Sequence, residues 1–247
     1  MNKFFKYVIF CLLFLCGCFS KTTNYYMLTN NLDDNKINDN IISDNIISDN
    51  KANDNKISDN IVNDNKGDNS KSKDVSNAFY CKLPRDFFIE IGPVQVLDYL
   101  KREQIIIRED NNKIKISDTD LWITDLENQI RSVLKLGLKS YITYEDGDKG
   151  LVKNLDVDIC EYPCVEKEKE KLRVSLVVNS FEYDVKKRAV IFNANFKLYL
   201  NKNLLDGKTV KYNYKTPNSS YKDIVYSMSE VLSLLVKDIA KVVCEYN

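Results

Sequence analysis

The amino-acid sequence predicts an α+β fold, a two-layer sandwich in which two long helices pack on one face of a mostly antiparallel sheet. Alternating apolar and polar residues over 172–178 and 190–200 are typical of half-buried antiparallel strands. Apolar residues recur at helical spacing over 122–141 and 221–242. Two strand patterns and two helix patterns in one region favour a sheet covered by helices.

The first regular elements of the predicted domain are strands. Residues 87–96 are apolar enough for a strand, which Gly92-Pro93 interrupts because proline lacks the amide that a ladder needs. Residues 105–117 predict a hairpin that turns at Asn111-Asn112, since asparagine tolerates the backbone of a tight turn.

A helix is expected next, with Thr119 or Asp120 as its N-cap. Its apolar face would be formed by residues three or four positions apart, namely Trp122, Leu126, Ile130, Val133, Leu134, Gly137 and Tyr141. This stripe is most simply core. The alternative for Trp122, the only tryptophan, is an indole that stacks on a ligand.

The last third of the chain predicts one more strand and a closing helix. Leu205-Asp206-Gly207-Lys208 is interpreted as a turn into a strand that runs through Tyr214, and Pro217-Asn218-Ser219 leads into the helix. The apolar residues of this helix follow 4,3 spacing: Tyr221, Val225, Met228, Leu232, Leu235, Ile239 and Val242. A coiled-coil seam is the alternative, but further apolar residues widen the stripe, which favours a helix lying on a sheet.

The start of the chain has the layout of a secretory signal. Lys3 and Lys6 precede an apolar stretch that is too short to span a bilayer and ends at Leu15-Cys16-Gly17-Cys18. This tetrad is similar to bacterial lipoprotein signals. We therefore expect residues 1–17 to be removed and Cys18 to carry acyl chains; an ordinary cleaved signal is the alternative.

A five-residue repeat separates the leader from the predicted domain. The dipeptide Asp-Asn recurs at 34, 39, 44, 49, 54, 59 and 64. Such a tract has too little apolar surface to offset backbone entropy, so disorder is favoured over a repeat β-helix. Residues 30–76 are interpreted as a flexible leash whose root-mean-square reach is about 35 to 40 Å. The leash would connect an anchor segment, 18–29, which contains a candidate first strand, to a domain at 77–247.

Composition excludes several classes of function. Lysine plus arginine equals aspartate plus glutamate at 36 each, which gives no indication of a nucleic-acid partner, and the chain contains no histidine. Without histidine the Ser-His-Asp and Cys-His nucleophile systems and the commonest transition-metal ligand are missing. We expect no enzyme, no catalytic residues, no cofactor and no metal site.

Four cysteines lie beyond the leader and anchor: Cys81, Cys160, Cys164 and Cys244. An even number in an exported protein favours disulfides, and four cysteines allow three pairings. The spacing of Cys160 and Cys164 also matches half of a metal site, but the second half is missing from the sequence.

The segment 89–138 resembles the ABC-type transport auxiliary lipoproteins, the family of paraquat-inducible protein C. Members show a strand ending in Gly-Pro-Val, a Tyr-Leu-Asp-Arg turn, a strand ending in Arg, a polar hairpin, and a Trp before a Leu-x-x-x-Ile-x-x-x-Leu helix. The matching residues are Gly92, Pro93, Val94, Tyr99, Leu100, Arg102, Arg108, Trp122, Leu126, Ile130 and Leu134. Leu97 and Lys101 stand where proline and aspartate are usual. Tyr25-Tyr26-Met27-Leu28 matches a family segment after the anchor; either it or Phe79-Tyr80-Cys81 supplies the first strand.

The resemblance implies a lipid-anchored, periplasm-facing protein that works with a mammalian-cell-entry protein and an ABC permease and ATPase. Its role would be that of a docking component or of a component that forms a homo-oligomeric ring. The system would move phospholipid between membranes. Phe19, in place of an aspartate that signals inner-membrane retention, favours the outer membrane. The alternative function is an envelope lipoprotein that reaches through the cell wall on its leash to regulate a peptidoglycan synthase.

The resemblance also assigns roles to residues. Four are candidates for contact with a partner or lipid headgroup: Pro93, Tyr99, Arg102 and Arg108. For the two arginines, a surface or intrachain ion pair is the alternative. Four others are family structural residues: Gly92, Val94, Leu100 and Trp122.

Overall fold

A computed structural model describes residues 21–30, 81–82, 87–146, 150–152, 159–164 and 170–245. Within these residues the fold is α+β, with a mixed, mostly antiparallel open sheet against which two helices pack, as the sequence predicts. The predictions for the signal sequence, Cys18 and the Asp-Asn tract fall outside the described residues.

The strands are β1 Asn24–Tyr26, β2 Cys81–Lys82, β3 Phe87–Val96, β4 Gln104–Asp110, β5 Lys113–Trp122, β6 Ile142–Asp146, β7 Gly150–Val152, β8 Ile159–Glu161, β9 Glu170–Asp184, β10 Ala189–Leu200 and β11 Asn203–Lys215. The helices are α1 Leu126–Tyr141 and α2 Tyr221–Glu245, and a 3₁₀ turn covers Asp98–Leu100. In the part of the chain that the structure describes, neither helix is long and apolar enough to cross a membrane.

The main sheet has the strand order β1-β5-β4-β9-β10-β11. The long strand β9 organises it, because β10 pairs antiparallel along one side while β3 and β4 share the other side in parallel. β8 pairs with the outer side of β3, and β2, β6 and β7 form a separate small sheet.

The two helices pack against each other and against the sheet, and the core lies between these layers. At their contact, a methyl group on Gly137 would lie 2.7 Å from a side-chain carbon of Val236, so the backbones approach closely there. α2 is buried on most of its surface, including Ser229 and Glu230, which agrees with the wide apolar stripe in its sequence.

The predicted strands and hairpin are confirmed, with irregularities that the sequence does not reveal. The hairpin turns at residues 111–112, and β3 runs through Gly92-Pro93 with a break in its register to β9. In β9 the apolar core residues are even-numbered up to Val178 and odd-numbered from Phe181, because Asn179 is an extra residue opposite β10.

The prediction that the first helix begins at Thr119 or Asp120 is wrong. β5 continues through Trp122, and α1 begins at Leu126 with Asp125 as its N-cap; the Asp125 carboxylate accepts a hydrogen bond of 2.8 Å from the amide three residues later. Trp122 fits the helical period only because it lies four residues before Leu126.

The predicted turn at Leu205-Asp206-Gly207-Lys208 is also wrong, since these residues lie within β11. The chain turns at Asn201 and Lys202, which both have positive φ, 46° and 83°. Asparagine tolerates this left-handed conformation, and two such residues make a tight hairpin turn. The pairing with β10 leaves Leu205 as an extra residue, so Asp-Gly marks a bulge here.

The segment before the Asp-Asn tract belongs to the main sheet. β1 pairs in parallel with β5, with Asn24 opposite Asp120 and Tyr26 opposite Trp122. Leu28 is buried in the core. Since β1 precedes the tract and β2 follows it, the tract joins two parts of one fold. Of the two segments that could supply the first strand, the one that includes Tyr25 and Tyr26 does so, as β1. The interpretation of residues 30–76 as a flexible leash stays a prediction.

Candidate functional site

β1 is held by a buried carboxylate on β5. Asp120 Oδ1 accepts hydrogen bonds from Asn24 Nδ2 at 3.0 Å and Tyr26 Oη at 3.2 Å, while Oδ2 accepts from Ser117 Oγ at 2.8 Å and Thr119 Oγ1 at 3.0 Å. Burial alone raises the pKa of Asp120, but these four donors outweigh it and hold the pKa below its usual range. The carboxylate therefore stays ionised and joins β1 to the sheet.

The residues after β1 are fixed to both helices. The amide of Leu28 donates to Gln129 Oε1 on α1 at 2.8 Å, and the amide of Thr29 donates to Ser229 Oγ on α2 at 3.1 Å. Residues 27–30, which we call the crossing segment, therefore occupy a defined place over the helical layer.

An apolar groove of about 640 Å³ lies beside the crossing segment and α1. The residues that line it are Met27, Leu28, Thr29, Asn30, Ile123, Thr124, Asn128, Gln129, Ser132, Val133 and Leu136. None of them is ionisable, although 29% of the whole chain is charged. Three large apolar side chains on the groove are more than half exposed: Met27 58%, Ile123 56% and Leu136 59%. Exposed apolar groups of this kind, placed together, indicate an interaction surface.

Two of the candidate contact residues meet inside the protein. Arg108 Nε donates to Glu182 Oε1 at 2.6 Å, and Tyr99 Oη donates to Glu182 Oε2 at 3.0 Å. Burial opposes the charge on Arg108, but the hydrogen bond to Glu182, which is only 1% exposed, and the negative charge of Glu182 outweigh it and raise the pKa of Arg108. The structure thus shows the intrachain ion pair that the sequence left as the alternative for Arg108. Arg102 Nε donates to the backbone oxygen of Tyr99 at 2.8 Å, which fixes the 3₁₀ turn.

The other family-motif residues fall into two groups. Val94, Leu100 and Trp122 are buried in the core. Gly92 and Pro93 lie at the irregular point of β3: Pro93 is exposed, and a methyl group on Gly92 would lie 2.9 Å from a backbone oxygen of β9. Glycine is needed here because two strands approach closely.

A second buried carboxylate, Glu90, lies near the disulfide between Cys160 and Cys164. Glu90 pairs with Lys171 at 2.7 Å and with Arg173, and accepts from the amide of Cys164 at 3.0 Å. Although burial raises its pKa, these partners hold the pKa of Glu90 below its usual range. The pairing is one of those that the sequence allows.

Among the described residues, no group of three or more cysteine, aspartate or glutamate side chains is arranged to hold a metal ion. Cys244 is partly buried near the end of α2 and packs against the core.

Sequence reasoning missed the groove and Glu182. Leu136 gives a signal for the groove, because it is apolar but lies off the predicted core stripe of α1. Glu182 gives no such signal, since a single glutamate in a predicted strand is ordinarily exposed.

Comparison with models of protein families matches residues 81–240 to the family of ABC-type transport auxiliary lipoprotein components. This chain belongs to that family. The auxiliary lipoproteins are lipid-anchored envelope proteins and non-catalytic accessory components of ABC-type transport systems.

Two solved structures share the fold of this auxiliary lipoprotein. An uncharacterized protein, 18% identical, has a TM-score of 0.52 over 66% of this chain and 97% of its own. A DUF330 family protein from Xanthomonas campestris, 8% identical, has a TM-score of 0.52 over 64% of this chain and 83% of its own. A search of curated proteins found no match.

Proposed function

We propose that this auxiliary lipoprotein is the docking component of a mammalian-cell-entry transport system that moves phospholipid between the two membranes of the envelope. Residues 1–17 are the signal peptide and Cys18 carries the acyl anchor, in the outer membrane and facing the periplasm. Its partners are the mammalian-cell-entry protein and, through it, the ABC permease and ATPase; it acts as a homo-oligomer. The family match carries this proposal.

We place the partner contact on the loop from Pro93 to Arg102. Pro93 is exposed at the bulge of β3, and Leu97 is 44% exposed just before the 3₁₀ turn. Hydrogen bonds from Leu97 N to Val178 O and from Arg102 to Tyr99 O hold the loop against the sheet, so its exposed groups are preorganised. Tyr99 and Arg108 support the loop from inside through Glu182 and contribute to docking indirectly.

The alternative function, regulation of a peptidoglycan synthase across the cell wall, depended on the leash. Since β1 lies in the main sheet ahead of the Asp-Asn tract, the tract does not lengthen the connection between Cys18 and the domain. That alternative therefore loses its main support.

Affinity purification of the full-length protein from detergent-solubilised membranes, with mass spectrometry of proteins and lipids, tests the proposal. We expect recovery of a mammalian-cell-entry protein, reduced by Leu97→Ser and unchanged by Leu204→Ser, a control at a similarly exposed leucine on β11. Recovery of a cell-wall synthase instead would contradict the proposal. Cys18→Ala should release the protein from membranes; a protein that stays fully membrane-bound would contradict the anchor assignment.

A further inference from the structure

The groove between the crossing segment and α1 lies close in the chain to the attachment point. Only residues 19–23 separate Cys18 from β1, so an anchored Cys18 holds the start of β1 within about 20 Å of the bilayer even when that connection is fully extended. Met27 follows directly after β1. Because β1 is paired with β5, the domain cannot move away from the membrane without losing this strand.

The chemistry of the groove suits hydrocarbon. It lacks ionisable side chains, and Met27, Ile123 and Leu136 are among the most exposed large apolar residues of the described chain. An apolar surface held next to a membrane inserts at the boundary between headgroups and acyl chains, since each methylene that leaves water there contributes about 0.8 kcal/mol.

The backbone beside the groove is compatible with this contact. The amides of Leu28 and Thr29 are bonded to Gln129 and Ser229, and the amide of Ile123 donates to the oxygen of Tyr26 at 3.0 Å. These donors therefore do not need water, and they would not be left without acceptors when the surface enters the interfacial region.

We propose that Met27, Ile123 and Leu136 form a membrane-docking surface that rests in the leaflet carrying the anchor, with phospholipid acyl chains in the groove. This surface complements the lipid anchor and orients the domain on the bilayer. The inference rests on attachment at Cys18, which is part of the proposed function.

Site-specific photocrosslinking in native membranes tests the surface. Benzoylphenylalanine is placed at Leu136 in the full-length protein, and in a matched protein at Leu204, which is 57% exposed on β11. We expect phospholipid adducts at position 136, about tenfold more abundant than at position 204.

Adducts to protein alone at position 136, equal lipid adducts at both positions, or no adduct at position 136 in a membrane-bound protein would each overturn the docking surface. Absence of the protein from the membrane fraction would instead contradict attachment at Cys18 and thus the proposed function. The two failures are therefore distinguishable.

A second measurement uses vesicles. The mature chain with Cys18→Ser, which lacks the anchor, should bind phosphatidylethanolamine/phosphatidylglycerol vesicles about tenfold more weakly when Leu136→Ser is added, because one large apolar contact is lost. Leu204→Ser should leave binding unchanged. Equal vesicle binding of the Leu136→Ser and Leu204→Ser variants would contradict the proposal.

Discussion

Replacing Asp120 by asparagine should loosen β1 without unfolding the domain. The carboxylate accepts hydrogen bonds from Asn24 and Tyr26 on β1 at 3.0 and 3.2 Å. A hydrogen bond to a charged group contributes about 1 kcal/mol more than one between neutral groups. Loss of the charge at two such bonds should therefore lower the free energy of opening β1 by about 2 kcal/mol.

Amide hydrogen exchange measures this opening directly. The amide of Ile123 donates to the backbone oxygen of Tyr26, so its exchange reports the release of β1. A change of about 2 kcal/mol corresponds to exchange about 30-fold faster, at 1.36 kcal/mol for each factor of ten. Amides in the centre of β9 and β10 should exchange at nearly unchanged rates, because their opening requires global unfolding.

Asp118→Asn is the matched control. Asp118 lies on the same strand, but its side chain is 80% exposed and pairs with Lys21, which is 70% exposed, at 3.2 Å. An exposed pair of this kind contributes little, so exchange at Ile123 should change by less than about threefold. If Asp120→Asn leaves this exchange rate unchanged, or if both variants accelerate it equally, Asp120 does not hold β1.

Three further predictions concern stability, each measured by urea unfolding. Arg108→Ala should lower the free energy of unfolding by about 3 kcal/mol, because it leaves the buried Glu182 carboxylate without its cation. Adding Glu182→Gln should recover part of this loss. An effect of Arg108→Ala below about 0.5 kcal/mol would contradict the buried ion pair. Gly92→Ala should lower the free energy of unfolding by about 1–3 kcal/mol, since its methyl group would lie 2.9 Å from a backbone oxygen. Gly207→Ala is the control and should cost far less, because the nearest atom lies 3.5 Å from its methyl group. Equal losses in the two variants would show that the close approach at Gly92 does not require glycine. The pKa of Glu90 is lower in the folded than in the unfolded protein, so its ion pairs stabilise the protein above the unfolded pKa of about 4.3, and this contribution is lost as the pH falls through the folded pKa. Glu90→Gln should therefore lower the free energy of unfolding at pH 7 and make it fall less steeply with decreasing pH. A free energy of unfolding that depends on pH in the same way in the variant and the natural protein would contradict this.

The sequence predicts those strands, turns and helices whose residue pattern is contained within the element itself. The alternation in β9 and β10, the hairpin at residues 111–112 and the apolar periods of α1 and α2 follow from which faces are buried. The sequence predicts too early a start for α1 because Asp120 has the side chain of an N-cap, whereas in the fold it bonds to Asn24, 96 residues earlier in the chain.

The candidate site is less predictable because it depends on contacts between distant residues. The charge of the buried Glu182 is compensated by Arg108, which is 74 residues away and lies on the neighbouring strand β4. The groove exists because the short strand β1 carries the crossing segment onto the helices. Three residues are too few for an alternating pattern, so β1 is expected only from the family resemblance, and its position beside α1 is not predicted. The family motif, in contrast, was recognisable because its residues are close together in the sequence.

We expect the domain to rest against its membrane, with the Asp-Asn tract inserted between β1 and β2. Neutron reflectometry of the lipidated protein on a supported bilayer, with and without residues 36–75, tests this claim. We expect no water layer between the bilayer and the domain in either protein, because both keep β1 and the same short connection to Cys18. A water layer in the full-length protein that becomes thinner when the tract is removed would contradict this arrangement of the domain on the membrane.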